Sequence, residues 1–319
     1  MSERPIFLLF DGHAVIYRAF YALPKLSDSQ GRVVNAVYGF ARVIISAIKD
    51  FSPRYIAVTF DHPKPTFRHK KFKDYKAHRP EMPDLLKPQI PLIKDVVTAL
   101  NIPQFEREGY EADDLIGTIS YKLDYEPQTI NADPNLLTMI VTGDKDSFQL
   151  VDNNTHVWVP GRSQGKDLEY DPALVKEKMG VSPKQIIDLK GLMGDSSDNI
   201  PGIKGIGPKT AAKLLRKYPS MEEIYQQVDL IEAGKAEQDE VIKGNVYKKL
   251  VDGRDLALMS KQLATIDCQV SLEIDLEECR VESYDKTQVV SLFKELGFRS
   301  LIHELPNDQF ESSVQEALF

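Results

Sequence analysis

Nine acidic residues, spread over five segments of the chain, are the side chains whose types and positions most strongly indicate chemistry. They are Asp11, Asp61, Glu111, Asp113, Asp114, Asp144, Asp146, Asp195 and Asp198. Taken singly, each is more simply explained as a turn residue or as an acid at a helix N-terminus. Gathered at one place, they would repel one another and raise each other's pKa unless a cation neutralised them. Carboxylate oxygens without a His or Cys cluster favour Mg²⁺ or Mn²⁺.

Three of these acids follow short apolar runs that are predicted to be β-strands. Residues 6–10, 55–60 and 137–142 are rich in β-forming residues and lead to Asp11, Asp61 and Asp144. Helical patterns at 36–51 and from about 110 separate these runs, which is the order of βαβ units. Because parallel strands end at the same edge of a sheet, we expect their acids to converge there. The sequence therefore predicts an α/β fold with a mostly parallel sheet.

The acids at 111–114 are predicted to open a helix. Glu111 and Asp114 are three residues apart and are expected to share a helix face, so Asp113 is expected to point elsewhere unless the first turn is irregular. Beyond about residue 172, strand signals become rare and helical patterns with Gly and Pro turns dominate. An amphipathic pattern at 284–296 predicts one more helix near the end.

Charge is unevenly distributed along the chain. The net charge is −8, but residues 222–319 carry −11 and residues 1–221 carry +3. Residues 62–80 hold seven Lys or Arg against one Asp: Lys64, Arg68, Lys70, Lys71, Lys73, Lys76 and Arg79, interleaved with Phe67, Phe72 and Tyr75. Cations that alternate with rings are suited to gripping phosphates and stacking on bases, although an isolated basic run is more often a solvated loop.

A second basic segment is rich in glycine. Residues 195–215 read DSSDNIPGIKGIGPKTAAKLL, in which Gly202, Gly205 and Gly207 frame a tight turn and Pro208 suits the first position of a helix. The free N–H groups at that helix start, together with Lys204, Lys209 and Lys213, predict a grip on phosphates without base readout.

Several classes of protein are disfavoured. Cys268 and Cys279 cannot make a disulfide framework and lack the spacing of metal ligands, so a reducing cytoplasm is expected. The first apolar stretch is too short for a signal peptide or a membrane span, and no other stretch is better suited, so we expect no membrane association.

Seven motifs in chain order resemble those of a known family. They are FDGH at 10–13 with Arg18, VYGFAR at 37–42, FD at 60–61, YKAHRP at 75–80, GYEADDL, TGDKDSFQL and the glycine-rich hairpin, whose GIGPKTAAKLL resembles a helix-hairpin-helix. The chain resembles bacterial 5′-nucleases of the flap endonuclease family over about residues 6–305. More narrowly, it is similar to the N-terminal 5′ to 3′ exonuclease domain of bacterial DNA polymerase I.

This resemblance implies an architecture. Residues 1–171 would form a resolvase-like (PIN-like) α/β catalytic core with an arch at about 62–100. Residues 172–305 would form a helical DNA-binding region, with the helix-hairpin-helix at about 189–217, and 306–319 a polar tail. Because the chain contains no polymerase, it is either an excised domain or a stand-alone enzyme.

The resemblance also implies roles for individual residues. Asp11, Asp61, Glu111 and Asp113 would surround one Mg²⁺ or Mn²⁺, Asp144, Asp146, Asp195 and Asp198 a second, with Asp114 nearby. Arg18, Lys76 and Arg79 would contact the scissile phosphate, and Tyr75 would stack on a base. Contacts to DNA would come from Lys70, Lys71, Lys73, Lys204, Gly205, Ile206, Gly207, Lys209, Thr210 and Lys213. A K⁺ ion would bind the backbone carbonyls of Leu192, Met193, Pro201, Ile203 and Ile206.

The implied activity is metal-dependent 5′ to 3′ exonuclease and flap endonuclease cleavage that leaves 5′-phosphate and 3′-hydroxyl ends. Its substrates would be branched or nicked DNA with a single-stranded 5′ end, and RNA primers on DNA, in replication and repair. We expect a monomer in the bacterial cytoplasm, at the nucleoid. Two alternatives are a non-catalytic junction-binding module and a PIN-like ribonuclease, which would not need the hairpin or the arch.

The last five residues, QEALF, resemble the pentapeptide by which bacterial replication proteins dock on the sliding clamp. Gln315 would hydrogen-bond to the clamp, and Leu318 and Phe319 would fill an apolar pocket. Ala317 is unusual in this motif, and a frayed terminus is the ordinary alternative.

Overall fold

The fold is built on one twisted sheet with helices on both faces. The computed structural model describes residues 4–161, 166–281 and 284–307. The motif at Gln315, Leu318 and Phe319 therefore lies outside the described residues. The strands are β1 (Ile6–Asp11), β2 (Tyr55–Thr59), β3 (Gln104–Phe105), β4 (Leu137–Val141), β5 (Thr155–Val159) and β6 (Leu168–Tyr170).

Thirteen α-helices accompany these strands in the described ranges. They are α1 (Gly12–Ala22), α2 (Asn35–Phe51), α3 (Phe67–Lys71), α4 (Gln89–Ala99), α5 (Ala112–Tyr125), α6 (Pro172–Met179), α7 (Ile186–Met193), α8 (Pro208–Lys217), α9 (Met221–Glu232), α10 (Gly244–Asp252), α11 (Arg254–Ala264), α12 (Lys286–Glu295) and α13 (Arg299–Ile302). None of the described helices combines the length and apolar character needed to cross a membrane.

The sheet order is β3-β2-β1-β4-β5-β6, and only the β5–β6 pair is antiparallel. The central strands β1, β2 and β4 read as continuous apolar runs because both of their faces are covered. Phe7 and Leu9 of β1 face a core shared with α5 and the helical region, whereas Leu8 and Phe10 face α2 and α4. The predicted α/β fold with a mostly parallel sheet is confirmed.

The carboxyl ends of these strands meet at one edge, as expected. Asp11 ends β1 and caps α1 by accepting a hydrogen bond from the Ala14 amide at 3.0 Å. Gly12 follows because any Cβ there would lie 2.6 Å from the Phe60 ring. Asp144 follows the end of β4 by three residues. Because β1 and β4 are parallel neighbours, Asp11 and Asp144 lie at the same edge of the sheet.

Two of the predicted regions, the arch and the helical region, have different limits in the structure. Helix α4, placed in the arch at 62–100, buries Ile93, Val96 and Val97 against α2 and the sheet. Only the first part of that range lies over the acidic edge. The last helices, α12 and α13, also pack on this face, where Phe293 and Leu301 are buried. They therefore do not extend the helical region of α6 to α11, although they were predicted within it.

Asp124, near the end of α5, provides a test of this packing away from the acidic edge. Burial raises the pKa of its carboxyl to about 7, although the Thr155 hydroxyl donates to it at 2.7 Å. Because the folded-state pKa lies above the unfolded value, ionisation destabilises the fold as pH rises from about 4 to 7. We predict that Asp124→Asn raises the free energy of unfolding at pH 8 by about 1 kcal/mol.

The gain should shrink as pH falls and vanish near pH 4, and urea unfolding at several pH values measures it. Asp95→Asn, at an exposed position of α4, is the control and should show no such pH-dependent gain. An increase in the free energy of unfolding that is equal at all pH values for Asp124→Asn would show that the pKa of Asp124 is not raised in the folded protein.

Candidate active site

Three carboxylates, those of Asp11, Asp113 and Asp144, interact electrostatically at the edge of the sheet. Burial raises the pKa of Asp11 to about 7, and the carboxylates of Asp61 and Asp144 act in the same direction. Burial, with repulsion from Asp144 and Asp11, also raises the pKa of Asp113 well above its ordinary value. Burial raises the pKa of Asp144 too, although Lys190 opposes this. These side chains therefore form an electrostatically unfavourable cluster when all three are ionised.

Hydrogen bonds orient the carboxylates of Asp11 and Asp144, whereas one carboxylate oxygen of Asp113 has no hydrogen-bond partner. Asp11 accepts from the Thr142 hydroxyl at 2.8 Å, and Asp144 accepts from the Asp146 amide at 2.9 Å. The buried Oδ1 of Asp113 has no hydrogen-bond partner. An oxygen-only donor set with an orphaned buried oxygen fits a hard divalent cation such as Mg²⁺. With the side chains in these positions, no group of three or more His, Cys, Asp or Glu in the described ranges has the arrangement needed to bind a metal ion.

Asp146 and Asp195 are joined by a lysine. Lys190 of α7 is 5% exposed, and its Nζ donates to Asp146 Oδ1 and, at 2.6 Å, to Asp195 Oδ2. Burial alone would raise the pKa of Asp195, but the ammonium and the Ser197 hydroxyl hold it below its ordinary value. Lys190 was not among the residues predicted from the sequence. A lysine inside α7, whose other residues apart from Asp188 are apolar or glycine, is a signal of a paired buried charge and could have revealed it.

Glu111 and Asp198 are joined by residues of the basic segment. Lys76 Nζ donates to Glu111 Oε2 at 2.9 Å and lies 3.6 Å from Asp198 Oδ2, while Arg79 donates to Asp198 Oδ1. The Tyr75 hydroxyl lies 3.1 Å from both Glu111 Oε2 and Asp198 Oδ2. Only 2% of Tyr75 is exposed, so the prediction that its ring stacks on a base is wrong for this arrangement.

Two expectations for the 111–114 segment are also corrected. Asp114 is fully buried and accepts both arms of the Arg68 guanidinium, at 2.7 and 2.8 Å, so it is not available as a metal ligand. Helix spacing placed Asp113 elsewhere unless the first turn is irregular, but its charge interacts most strongly with Asp144 and Asp11. Glu111 precedes the helix and has extended backbone dihedrals (φ −97°, ψ 162°), so the spacing of a regular helix does not apply between Glu111 and the acids that follow it.

The acids predicted to bind the first and the second metal ion are therefore grouped differently in the structure. Asp144 interacts with Asp11 and Asp113, and Glu111 is linked to Asp198 through Tyr75 and Lys76. Asp61 lies at the rim: its Oδ1 accepts from the Ala112 amide at 2.8 Å, and its own amide donates to His13. Which acids would share an ion remains a prediction.

A cavity of ≈ 1080 Å³ opens beside these acids. Asp144, Asp146 and Asp195 lie on its wall, together with the cations of Arg18, Arg79 and Lys190. Arg18 donates to the Pro160 carbonyl. Positive groups facing a cluster of acids are the arrangement needed to hold a phosphate next to bound divalent ions.

The glycine-rich hairpin lies between α7 and α8. Helix α8 begins at Pro208, as predicted, and Gly207 provides no side-chain cap for its first amides. The side chains of Lys204, Lys209 and Lys213 are exposed. Ile206 is 2% exposed, so of this residue only the backbone could reach DNA. Lys249 of α10, missed in the sequence, donates to the Gly205 carbonyl at 2.8 Å.

The carbonyls proposed for K⁺ lie in two facing segments. Gly194 and Gly202 allow this approach, since a Cβ on Gly194 would lie 2.7 Å from the Pro201 oxygen and one on Gly202 would lie 2.1 Å from the Gly194 nitrogen. The carbonyl of Leu192 accepts from the Ile203 amide at 2.9 Å, and that of Ile203 accepts from the Ile206 amide at 3.0 Å. The K⁺ site remains a prediction.

Comparisons with known families identify the chain. Residues 6–180 match the family described as 5′-3′ exonuclease, N-terminal resolvase-like domain, and residues 181–287 match 5′-3′ exonuclease, C-terminal SAM fold. The chain belongs to the 5′-3′ exonuclease family. The predicted resemblance to bacterial 5′-nucleases is confirmed.

Relatives of this exonuclease family agree with that result. The chain is 40% identical to DNA polymerase I of Bacillus subtilis (strain 168), over 100% of this chain and 34% of that protein. It is 41% identical to DNA polymerase I of Caldicellulosiruptor bescii, over 93% of this chain and 33% of that protein. The chain thus spans about a third of the length of these relatives.

Solved structures share the fold at low sequence identity. T5 5′-exonuclease with bound zinc aligns with a TM-score of 0.64 and 21% identity, over 91% of this chain and 99% of that one. The catalytic core of Rad2 in complex with a DNA substrate aligns with a TM-score of 0.60 and 19% identity, over 95% and 94%. Both confirm the α/β core followed by a helical region.

The charge cluster predicts an unusual stability change for this exonuclease. Ionised Asp113 is buried beside other carboxylates, so replacing it with a neutral amide removes repulsion. We predict that Asp113→Asn raises the melting temperature in EDTA at pH 8 by about 2 °C. Mg²⁺ should stabilise the wild-type protein and stabilise this variant less.

Thermal melts in EDTA and in Mg²⁺ measure both effects, and Asp95→Asn serves as the exposed control. A variant that is less stable than wild type in EDTA, but gains as much from Mg²⁺, would show that Asp113 is a structural residue without a role in cation binding.

Proposed function

We propose that this protein is a metal-dependent, structure-specific 5′-nuclease with 5′ to 3′ exonuclease and flap endonuclease activity. It would hydrolyse phosphodiesters near the junction of single strand and duplex and leave 5′-phosphate and 3′-hydroxyl ends. The observation that carries this proposal is the mutual repulsion of Asp11, Asp113 and Asp144 at a cavity whose wall holds Asp144 together with Arg18, Arg79 and Lys190. Membership of the exonuclease family supports the same reaction.

Mg²⁺ or Mn²⁺ suits the donor set of the cluster. We propose that Asp11, Asp113 and Asp144 hold one ion, with Asp61 and Glu111 near it, and that Asp146, Asp195 and Asp198 serve a second. Such ions lower the pKa of a bound water and stabilise the charge that develops on the leaving oxygen. Lys190, Lys76 and Arg79 form ion pairs with this second group of carboxylates, and these pairs would have to open for the acids to bind the ion.

The basic side chains would act on the phosphate. Arg18 and Arg79 line the cavity opposite Asp144, where they can hold the phosphoryl oxygens and stabilise their charge. Each such donor typically contributes a few kcal/mol in a site that excludes water. Lys76 donates to Glu111 and would contact the phosphate after this hydrogen bond breaks.

Selection of the substrate would depend on shape, because the available contacts are to phosphates. The α7–α8 hairpin would hold the duplex through free amides at the start of α8 and through Lys204, Lys209, Thr210 and Lys213. The exposed Lys70, Lys71 and Lys73 would guide the single-stranded 5′ end. Branched or nicked DNA and RNA primers on DNA fit this arrangement, with roles in replication and repair.

Three further assignments rest on the sequence and the fold. A K⁺ ion at the hairpin would be held by the facing carbonyls of 192–193 and 201–206, which the two glycines bring together. The protein would act as a monomer at the bacterial nucleoid. The C-terminal QEALF would dock on the sliding clamp.

A substrate panel tests the activity itself. Cleavage of a 5′-flap, a nicked duplex, single-stranded DNA and single-stranded RNA is compared in Mg²⁺ and in EDTA for wild type and Asp144→Ala. We predict Mg²⁺-dependent cleavage near the flap junction, reduced at least 10²-fold in the variant, because one carboxylate of the metal cluster is lost.

Tight flap binding without cleavage in Mg²⁺ or Mn²⁺ would instead indicate a non-catalytic junction-binding module. Faster cleavage of single-stranded RNA than of the flap would indicate a PIN-like ribonuclease.

The role of the hairpin is tested by the salt dependence of DNA binding. Lys209→Met should weaken binding to duplex DNA several-fold and reduce the slope of log K against log salt by about 1, because one phosphate contact is lost. Fluorescence anisotropy at several salt concentrations measures both quantities. Lys294→Met, an exposed lysine of α12 on the other face, is the matched control. Equal salt slopes for the two variants would exclude the hairpin from the DNA interface.

Docking on the clamp is tested by deleting residues 315–319. The deletion should abolish binding to a bacterial sliding clamp in surface plasmon resonance, because it removes Gln315, Leu318 and Phe319 together. The double substitution Ser312→Ala and Ser313→Ala, in the adjoining sequence, should leave clamp binding intact. Equal clamp binding by the deletion variant and the full chain would refute the assignment.

A further inference from the structure

Arg68 differs from the other cations of the basic segment because its guanidinium is buried. It is 2% exposed, whereas Lys70 and Lys71 of the same helix are exposed. A side chain that is enclosed in this way cannot contact a DNA phosphate without leaving its site. The run of basic residues at 62–80 therefore contains one arginine with a different role.

The contacts of Arg68 use most of its hydrogen-bonding capacity. Nη1 and Nη2 donate to the two carboxylate oxygens of Asp114 at 2.8 and 2.7 Å, which is the bidentate geometry that only arginine provides. Nε donates to the Leu263 carbonyl at 2.9 Å, and Nη2 also donates to the Thr265 carbonyl at 2.8 Å. Glu111 Oε2 lies 3.6 Å from Nη1.

The carboxylate of Asp114 also uses both of its oxygens in hydrogen bonds. Besides Arg68, its oxygens accept the Glu111 amide at 3.0 Å and the Asp267 amide at 2.9 Å. The pair thus connects three parts of the chain: the basic segment, the start of α5, and residues 263–267 that follow α11. The start of α5 carries Glu111 and Asp113 of the active site, so this connection lies directly behind the acids.

The residues that follow Arg68 contact the acidic edge at Glu111 and Asp198. The Lys76 amide donates to the Asp198 carbonyl at 2.9 Å, and Lys76 adopts a φ of 56°, a left-handed conformation that surrounding contacts must maintain. Tyr75 and Lys76 reach Glu111, which lies three residues before Asp114. Arg68 fixes the other end of the same stretch of chain against Asp114.

We propose that Arg68 and Asp114 form a positioning pair that anchors the basic segment over the acidic edge, so that Tyr75, Lys76 and Arg79 reach Glu111 and Asp198. Arg68 serves the nuclease reaction through these residues and does not bind DNA. The part of this inference that concerns catalysis rests on the proposed function. The anchoring itself can be tested without DNA.

Amide hydrogen exchange of the DNA-free protein measures the anchoring. Arg68→Met should accelerate exchange at the Lys76 and Arg79 amides at least tenfold relative to wild type, and Arg68→Lys should not restore protection, because an ammonium cannot replace the bidentate fork. Lys70→Met, on the same helix, is the matched control and should leave both amides protected. Unchanged protection in Arg68→Met would overturn the proposal.

A second variant guards against loss of folding, since Arg68→Met leaves the buried Asp114 charge without a partner. The double variant Arg68→Met and Asp114→Leu removes both charges, and replacing a buried ion pair by apolar residues often preserves the fold. It should be folded by circular dichroism and should still show the accelerated exchange at Lys76 and Arg79. A folded double variant with wild-type protection would also overturn the proposal.

Flap cleavage and DNA binding separate positioning from phosphate contact. In the double variant, kcat should fall at least tenfold, while the slope of log K against log salt stays as in wild type. In Lys70→Met, KM should rise and the salt slope should fall by about 1. A double variant with raised KM, a reduced salt slope and normal kcat would make Arg68 a phosphate contact and refute the inference. If wild type cleaves no flap, the proposed function fails, while the exchange experiment still decides the anchoring.

Discussion

The cost of burying carboxylates at one edge of a parallel sheet governs the organisation of this protein. Strands β1 and β4 end at the same edge, where Asp11 is the last residue of β1 and Asp144 follows β4 by three residues. A buried carboxylate is tolerated only when it is protonated or paired with a cation. The arrangement of charged side chains around the edge follows from this requirement.

Most of these acids obtain their cation from another part of the chain. Asp114 is paired with Arg68 of the basic segment, and Asp146 and Asp195 share Lys190 of α7. Glu111 and Asp198 share Lys76. These pairs join the α/β core to the basic segment and to the helical region, so the charges also hold separate elements together. Within the described ranges, Asp11 and Asp113 form no ion pair with a Lys or Arg, and burial raises the pKa of both carboxyls.

The sequence was sufficient to predict the main elements. The apolar runs identified β1, β2 and β4, and the helical periodicity identified α2 and α5, because local composition determines these elements. It also placed Pro208 correctly at the start of α8. The positions of α4, α12 and α13 against the sheet were missed, since packing on a shared core depends on tertiary contacts between segments far apart in sequence.

At the candidate site, the sequence identified the acids but not their partners. Asp114 was predicted near the metals but is paired with Arg68, and a count of residues could not reveal this because Glu111 lies before the helix with an extended backbone. Tyr75 was expected to be free for stacking but is buried between two carboxylates. Lys249 lies more than 40 residues from Gly205, whose carbonyl it contacts, so spacing could not reveal that contact. For Lys190, the available signal was its place in a mostly apolar helix.

The central claim is that Asp11, Asp113 and Asp144 form a divalent-cation site, and a crystal structure in Mn²⁺ tests it most directly. Anomalous diffraction at the manganese edge locates the ions without reference to activity. The account predicts a strong anomalous peak in contact with carboxylate oxygens of Asp11, Asp113 and Asp144. A fully occupied Mn²⁺ site elsewhere, with these three side chains unchanged and without a peak, would contradict it.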